Sequence, residues 1–289
     1  NVGTLTNQGI ELEVGYKLSV DKVNLSFLAN ASYVKNEIKN LGNQTGYIDK
    51  ESLPTLGTVS RNQNGYPIGY FFGYKAIGVF QTQEEIDNYI SPATGKPIQP
   101  NAVPGDTKFE DLNGDGVISD DNEDRTMIGK PNPDWMVGLT VAADWNGFDL
   151  SAFFQGSFGA DVFDALRRYE LAAVNYTSDA LERWTGPGTS NSMPRIVLGD
   201  TPKNFRPSTL LVHDASFLRL RNLQVGYTLP AQLTRKAYIQ RLRFYASFDN
   251  LLTITGYKGM DPEIGSTMGI DKGVYPQARV YTFGLNLTF

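Results

Sequence analysis

The chain has no cysteine and a single histidine, His213. The first absence excludes a disulfide framework, a zinc–thiolate site and a cysteine nucleophile. One histidine cannot make a histidine-built zinc site, and no motif ties His213 to a serine or a carboxylate pair, so it is not read as catalytic. There is no run of 18 or more apolar residues, so no membrane-spanning helix is written in the sequence, and a membrane role would fall to strands. Excess positive charge is missing too. The 26 Lys and Arg stand against 31 Asp and Glu, a net charge of −5 with no basic stripe, which argues against nucleic acid. Acidic pairs such as Glu84–Glu85 lack the spatial pairing of glycosidase carboxylates and read as solvated faces. No signal peptide or initiator Met opens the chain, which is expected to be a piece of something longer.

What is present is aromatic and glycine-rich: 12% Phe, Trp and Tyr, with 29 Gly. The last ten residues organise the rest. Tyr281, Phe283, Leu285, Leu287 and Phe289 fall on one face of a strand, and Thr282, Gly284, Asn286 and Thr288 on the other. One face is apolar, the other small and polar, and neither carries charge. A sandwich core or a lipid-facing barrel wall would each accept that strand.

The same alternation recurs along the chain. Ile10, Leu12, Val14, Tyr16 and Leu18 are followed, after a turn at 19–22, by Val23, Leu25, Phe27, Ala29, Ala31 and Tyr33. Val137 to Trp145 and Phe148 to Phe158 alternate in opposite parity around Asn146-Gly147. Both residues of that turn favour positive φ, and a two-residue loop sets Trp145 opposite Phe148 with both apolar sets on one face. Strand pattern returns at 217–229, 239–250 and 276–289. Helical patches are expected at 83–89, 165–173 and 178–184, the last with Ser178 as N-cap.

Seven strands, at 10–18, 23–33, 134–145, 147–158, 217–229, 239–250 and 276–289, leave connections that run short, long, short, long, short, long. Outer-membrane barrels sort their loops in this way, with short periplasmic turns and long extracellular loops. The fold class expected is all-β: part of a large antiparallel transmembrane β-barrel, with 34–133 and 159–216 as long extracellular excursions carrying short helices. Seven wall strands require 66–80 to lie in an excursion, because one added strand would reverse the parity of everything before it. The competing architecture is a soluble, calcium-stapled β-sandwich acting as a glycan-binding module.

Two local patterns suggest sites. Asp111-Leu-Asn113-Gly-Asp115-Gly116-Val117-Ile118 has oxygen ligands at alternate positions and a Gly for the sharp turn, the first half of an EF-hand-type calcium loop, to which the Val117 carbonyl would add a ligand. The twelfth position is Asn122 rather than Glu, with Asp120, Asp121, Glu123 and Asp124 nearby. A solvated acidic turn is the alternative. The aromatic segment 65–80 supplies Tyr66, Tyr70, Phe71 and Tyr74, candidates for stacking on a sugar, although packing is the favoured account. Tyr16, Tyr33, Trp135, Trp145 and Tyr227 lie near strand ends, as an interfacial aromatic girdle would.

Several stretches together resemble the SusC/RagA family of TonB-linked outer-membrane transporters. These are Gly65-Tyr-Pro-Ile-Gly-Tyr-Phe-Phe-Gly-Tyr-Lys with Gly78-Val-Phe-Gln81; Asp111-Leu-Asn-Gly-Asp-Gly-Val-Ile118 with Asp124-Arg-Thr-Met-Ile-Gly129; Asn132-Pro-Asp-Trp135; Ala215 to Pro230; and Asp249-Asn-Leu-Leu-Thr with Gly256 to Glu263. The matches run in order over about the whole chain. The resemblance implies the C-terminal part of a TonB-dependent barrel, without its plug, that imports glycans or peptides beneath a SusD-like surface lipoprotein and is energised by the TonB complex. It also implies Asp124, the Asp before Arg-Thr, as the ligand that closes a structural Ca²⁺ site, although Asp124 stands two residues late. Phe289 resembles the terminal aromatic read by the barrel-insertion machinery.

Overall fold

A computed structural model describes residues 3–120, 122–171, 174–264 and 267–289. Its largest element is one antiparallel sheet of seven strands: β1 (Thr4–Val20), β2 (Val23–Asn40), β3 (Trp135–Trp145), β4 (Phe148–Phe158), β5 (Phe217–Thr228), β6 (Arg241–Thr255) and β7 (Val280–Thr288). Each strand pairs with its neighbours in sequence, so spatial order is chain order. The Asn146-Gly147 turn has φ of 48° and 87°, both left-handed, and it pairs Trp145 with Phe148 in the register that the parity switch requires.

The alternation becomes a two-faced wall. Across the register, Trp145 lies opposite Phe148, Phe148 opposite Tyr227, Tyr227 opposite Phe244 and Phe244 opposite Leu285. At the other end Tyr33 and Trp135 are paired, with ring centres 5.0 Å apart. Among the described residues none covers this apolar face: Ile10 and Phe283 are each 75% exposed, and Leu12, Tyr16, Phe244 and Leu285 are also open. A sandwich would cover such a face with a second sheet, so the sandwich architecture is set aside. From the Trp135 row to the Trp145 row is about 33 Å along the strand at roughly 3.3 Å per residue. Tilted as barrel strands are, that matches an apolar band about 25 Å tall. The opposite face is polar and hydrogen-bonded across strands, for example Asn222 Nδ2 to Ser247 Oγ at 3.0 Å and Asn36 Nδ2 to Asn7 Oδ1 at 2.6 Å.

The short links leave one end of the sheet and the long ones leave the other. Segment 66–80 lies outside the wall, as the parity demanded. Tyr70–Tyr74 joins a separate four-stranded sheet in the order Arg125–Gly129, Tyr70–Tyr74, Ser60–Gln63, Tyr47–Asp49. The long connections do not stand apart. Leu53, Val59 and Phe71 from the first pack with Phe163, Ala165 and Leu211 from the second and Ile270 from the third, forming one core over the end of the wall.

Three expectations need correction. β1 and β2 are longer than 10–18 and 23–33, reaching Thr4 and Asn40. The residues added toward Thr4 and Asn40 are mostly polar, with Leu5, Val34 and Ile38 as isolated apolar positions, so periodicity does not reveal them. The helical patch at 165–173 is absent from its described part, 165–171, which is irregular; the residues just before it, Asp161–Asp164, form a short strand between Val212–Asp214 and Ile270–Asp271. Ser178–Glu182 is a 3-10 turn whose N-cap is Thr177, without a side-chain cap bond. Gln83–Asp87 is helical, and Thr82 Oγ1 caps it by accepting from Glu85 N at 3.2 Å. Glu84 and Glu85 are both exposed there.

Candidate functional site

The body of loops brings the two sequence-level sites together. In the acidic turn, the side chains at alternate positions curl inward, and backbone amides fill the curl. Asp111 accepts from Gly114 N at 2.8 Å and Gly116 N at 2.9 Å, Asn113 Oδ1 from Asp115 N at 2.9 Å, and Asp115 Oδ1 from Val117 N at 2.9 Å. Gly116 has φ of 88°, and a Cβ there would meet Ser91 Oγ at 2.7 Å, so only glycine fits the bend.

Asp124 closes the turn. It is fully buried and spans the loop, accepting from Leu112 N at 3.1 Å through one oxygen and from Ser119 N at 3.0 Å through the other. Asp124 thus ties the two ends of the turn together through backbone amides. Asp120 is drawn instead to Lys203 and Arg206. The Val117 side chain is exposed, and Asp121 lies outside the described residues. Among the described residues, no three acidic, His or Cys side chains converge as a metal cluster. The donor set is nonetheless hard oxygen, suited to Ca²⁺.

The aromatic candidates belong to the packing. Tyr70, Phe71 and Tyr74 are buried: Phe71 packs on Phe163 with centroids 5.9 Å apart, Tyr70 donates to Gln63 Oε1 at 2.6 Å, and Tyr74 donates to the Ser119 carbonyl at 2.7 Å. Tyr66 is half-buried against Tyr70. None of the three buried rings offers a face to a sugar, and the stacking role is withdrawn for them.

Arginines interleave with these rings. Arg61 lies 4.0 Å from the Tyr47 centroid and 3.6 Å from that of Phe72. Arg125 lies 4.3 Å from Phe72 and 5.7 Å from Tyr74. Arg206 lies 4.8 Å from Tyr74 and 4.9 Å from Phe109. The result is an alternating stack, Tyr47–Arg61–Phe72–Arg125–Tyr74–Arg206–Phe109, linking the aromatic segment to the acidic turn. Burial pushes the Arg125 pKa down to about 10, which still leaves it charged at neutral pH. Sequence reading missed the stack because its three arginines are far apart in the chain. The strand pairing of Arg125 with Tyr74 and Met127 with Phe72 brings two of the matched motifs side by side.

A second polar cluster sits where β5 enters the loop body. Arg219 is bonded to Asp261 at 2.6 Å and Glu263 at 3.0 Å, and Arg221 reaches both Glu263 oxygens at 2.6 Å. The signal for it was the pair of arginines on an otherwise uncharged strand pattern. His213 lies beside Arg167 Nη1 at 3.2 Å and Asp164 at 3.8 Å. Burial pushes its pKa down, toward the neutral form.

With fold and site in view, the comparisons are consistent. No family model matches the chain. TonB-dependent receptor P3 of Formosa agariphila is 32% identical over 305 residues, covering all of this chain and 29% of the relative. TonB-dependent receptor SusC of Bacteroides thetaiotaomicron is 30% identical over 295 residues, again over the whole chain and 27% of SusC. Among solved structures, the RagAB peptide transporter superposes with a TM-score of 0.76 at 27% identity, over the whole chain and 30% of that structure. The wall and its loops match part of the fold of TonB-dependent receptors. Within that class the chain is similar along its whole length to SusC and RagAB, which are a receptor and a transporter rather than enzymes. The chain spans about 30% of the length of these relatives.

Proposed function

We propose that the whole protein imports nutrient oligomers across the outer membrane of a Gram-negative bacterium. The observation that carries this is the uncovered apolar face of the seven-stranded sheet, backed by a polar face and with its long connections gathered at one end. A lipid-facing wall needs that arrangement, and a water-soluble sheet is destabilised by it. Residues 34–133 and 159–216 are the outward excursions. Glycans are the substrate class favoured, with peptides second. The partners are a SusD-like surface lipoprotein over the outer mouth and the TonB complex, engaged by parts of the protein beyond this chain. The acidic turn, with Asp111, Asn113, Asp115 and the Val117 carbonyl as oxygen donors, is a structural Ca²⁺ staple. It would lower the ordering cost of docking the lipoprotein.

The test is heat-modifiable migration of the intact protein. Outer-membrane fractions are run with and without boiling, and the unboiled band is then examined for a co-purifying lipoprotein. A folded barrel migrates differently before boiling. Identical migration in both lanes, from a soluble fraction, would overturn the proposal.

A further inference from the structure

A cavity of ≈ 700 Å³ lies beside the acidic turn, away from the wall, and meets the turn at its Gly116–Ile118 segment; Asp111, Asn113 and Asp115 do not line it. It falls within the roughly 300–1,000 Å³ range of small-molecule sites. Gly116, Val117 and Ile118 form one wall, 94–102 a second and 201–206 a third. Three cationic side chains line it: Lys96, Lys203 and Arg206. The one lining carboxylate, Asp106, is already neutralised. It accepts from Arg195 Nε at 2.6 Å, Asn204 Nδ2 at 3.1 Å and Val103 N at 2.9 Å. Asp120 pairs with both Lys203 and Arg206, so three cations share one further carboxylate and the lining keeps an excess of positive charge.

Arg206 gives the second observation. Among the described residues its buried Nη1 makes no hydrogen bond, only a 3.7 Å ion pair with Asp120, while its Nε donates to the Lys203 carbonyl at 3.2 Å. An unmet donor on a charged group is costly to bury. Its guanidinium is held in place by Tyr74 and Phe109, so the fork is already oriented. A planar carboxylate fits such a fork better than a neutral hydroxyl does. The rest of the lining suits a sugar: hydroxyl and amide groups on Thr94, Asn101 and Thr201, with the apolar edges of Pro97, Pro100 and Pro202.

We propose that this cavity binds acidic oligosaccharides, seating a uronate carboxylate among Arg206, Lys203 and Lys96. The sugar identity rests on the import reading, and the anion preference rests on the cavity alone. Ligand carboxylate and Asp120 would share the two cations at 203 and 206, so occupancy is also felt by the chain that leaves the acidic turn.

The experiment uses the full-length receptor in detergent. Trigalacturonate and the neutral maltotriose are titrated calorimetrically at low and high salt. Trigalacturonate is expected to bind and maltotriose to bind far less, with salt weakening the former. Lys96→Gln and Lys203→Gln each should weaken trigalacturonate binding about tenfold, the worth of one charge-assisted contact. Both lysines are exposed, so these variants avoid the folding risk of replacing Arg206 within its stack. Heat-modifiable migration of each variant reports folding. Equal binding of the two sugars, no binding of trigalacturonate, or binding untouched by both variants overturns the proposal. A receptor that folds in the outer membrane yet binds no uronate sinks the cavity and spares import. A uronate-binding protein absent from that membrane does the reverse.

Discussion

Arg219 Nη2 donates to Asp261 Oδ1 at 2.6 Å, and the two residues are only 2% and 6% exposed. This pair fastens the third long connection to β5. Two charges removed from water together are tolerable only while both remain, and deleting one strands the other. Asp261→Ala is therefore expected to destabilise by about 3–5 kcal/mol. The temperature at which the unboiled barrel band disappears should fall, while a substitution at exposed Glu84 should leave it in place.

The same pair has a pH signature. Burial pushes the Asp261 pKa up, but the backbone N–H groups of Gln277 and Glu263 and the Arg219 guanidinium outweigh it and hold the pKa below the ordinary carboxylate range. A depressed folded pKa contributes stability that is present above the unfolded value, roughly 4, and is lost as pH falls through the folded one. Acid should selectively loosen the 256–264 connection, seen as earlier proteolysis there than in the wall.

Asp200 is expected to behave oppositely. Burial pushes its pKa up to about 6, against hydrogen bonds from Phe205 and Asn204. A raised carboxylate pKa means the folded state holds a proton that the unfolded chain has released. Its contribution is full below about 4 and is lost as pH rises through about 6, an effect on the order of 2 kcal/mol. Thermal unfolding of the wild type relative to Asp200→Asn should lose ground between those values. A flat difference would count against this.

Asp124 bridges Leu112 N and Ser119 N from a fully buried position. Asp124→Ala leaves two amide donors unmet, at about 1–3 kcal/mol each. Limited proteolysis should then cut within 106–124. If the turn is a calcium staple, Ca²⁺ should slow cleavage in the wild type and a chelator should hasten it, with no such response in an Asp111→Ala, Asp115→Ala double variant.

Arg125 donates through Nη2 to the carbonyls of Thr58 and Phe72, the latter at 2.7 Å, while stacking on the Phe72 ring. Lysine has neither the planar fork nor the stacking surface. Arg125→Lys is expected to cost about 2 kcal/mol or more despite conserving charge. The effect should appear as lost protease resistance in the loop body, with the wall's heat-modifiable shift retained.

The sequence by itself determined the wall. Period-two alternation set which residues share a face. The parity switch at Asn146-Gly147 fixed the register of β3 against β4, and the order of short and long connections placed 66–80 outside the sheet. These are local properties, because each strand's two faces are written in a dozen consecutive residues. The loop body was decided only by tertiary structure. Its strands are two to five residues long, too short for periodicity to register, and its core draws Phe71, Phe163 and Ile270 from three separate connections. Asp124 could be suspected as the closing residue from motif likeness, but its burial and two amide bonds follow from a chain path that no spacing rule encodes. For the rings of Tyr70, Phe71 and Tyr74, the choice between sugar platform and packing depended on what lies against them. Arginines at 61, 125 and 206 meet the neighbouring rings of Phe72 and Tyr74 because strand pairing and the docking of distant loops bring them together.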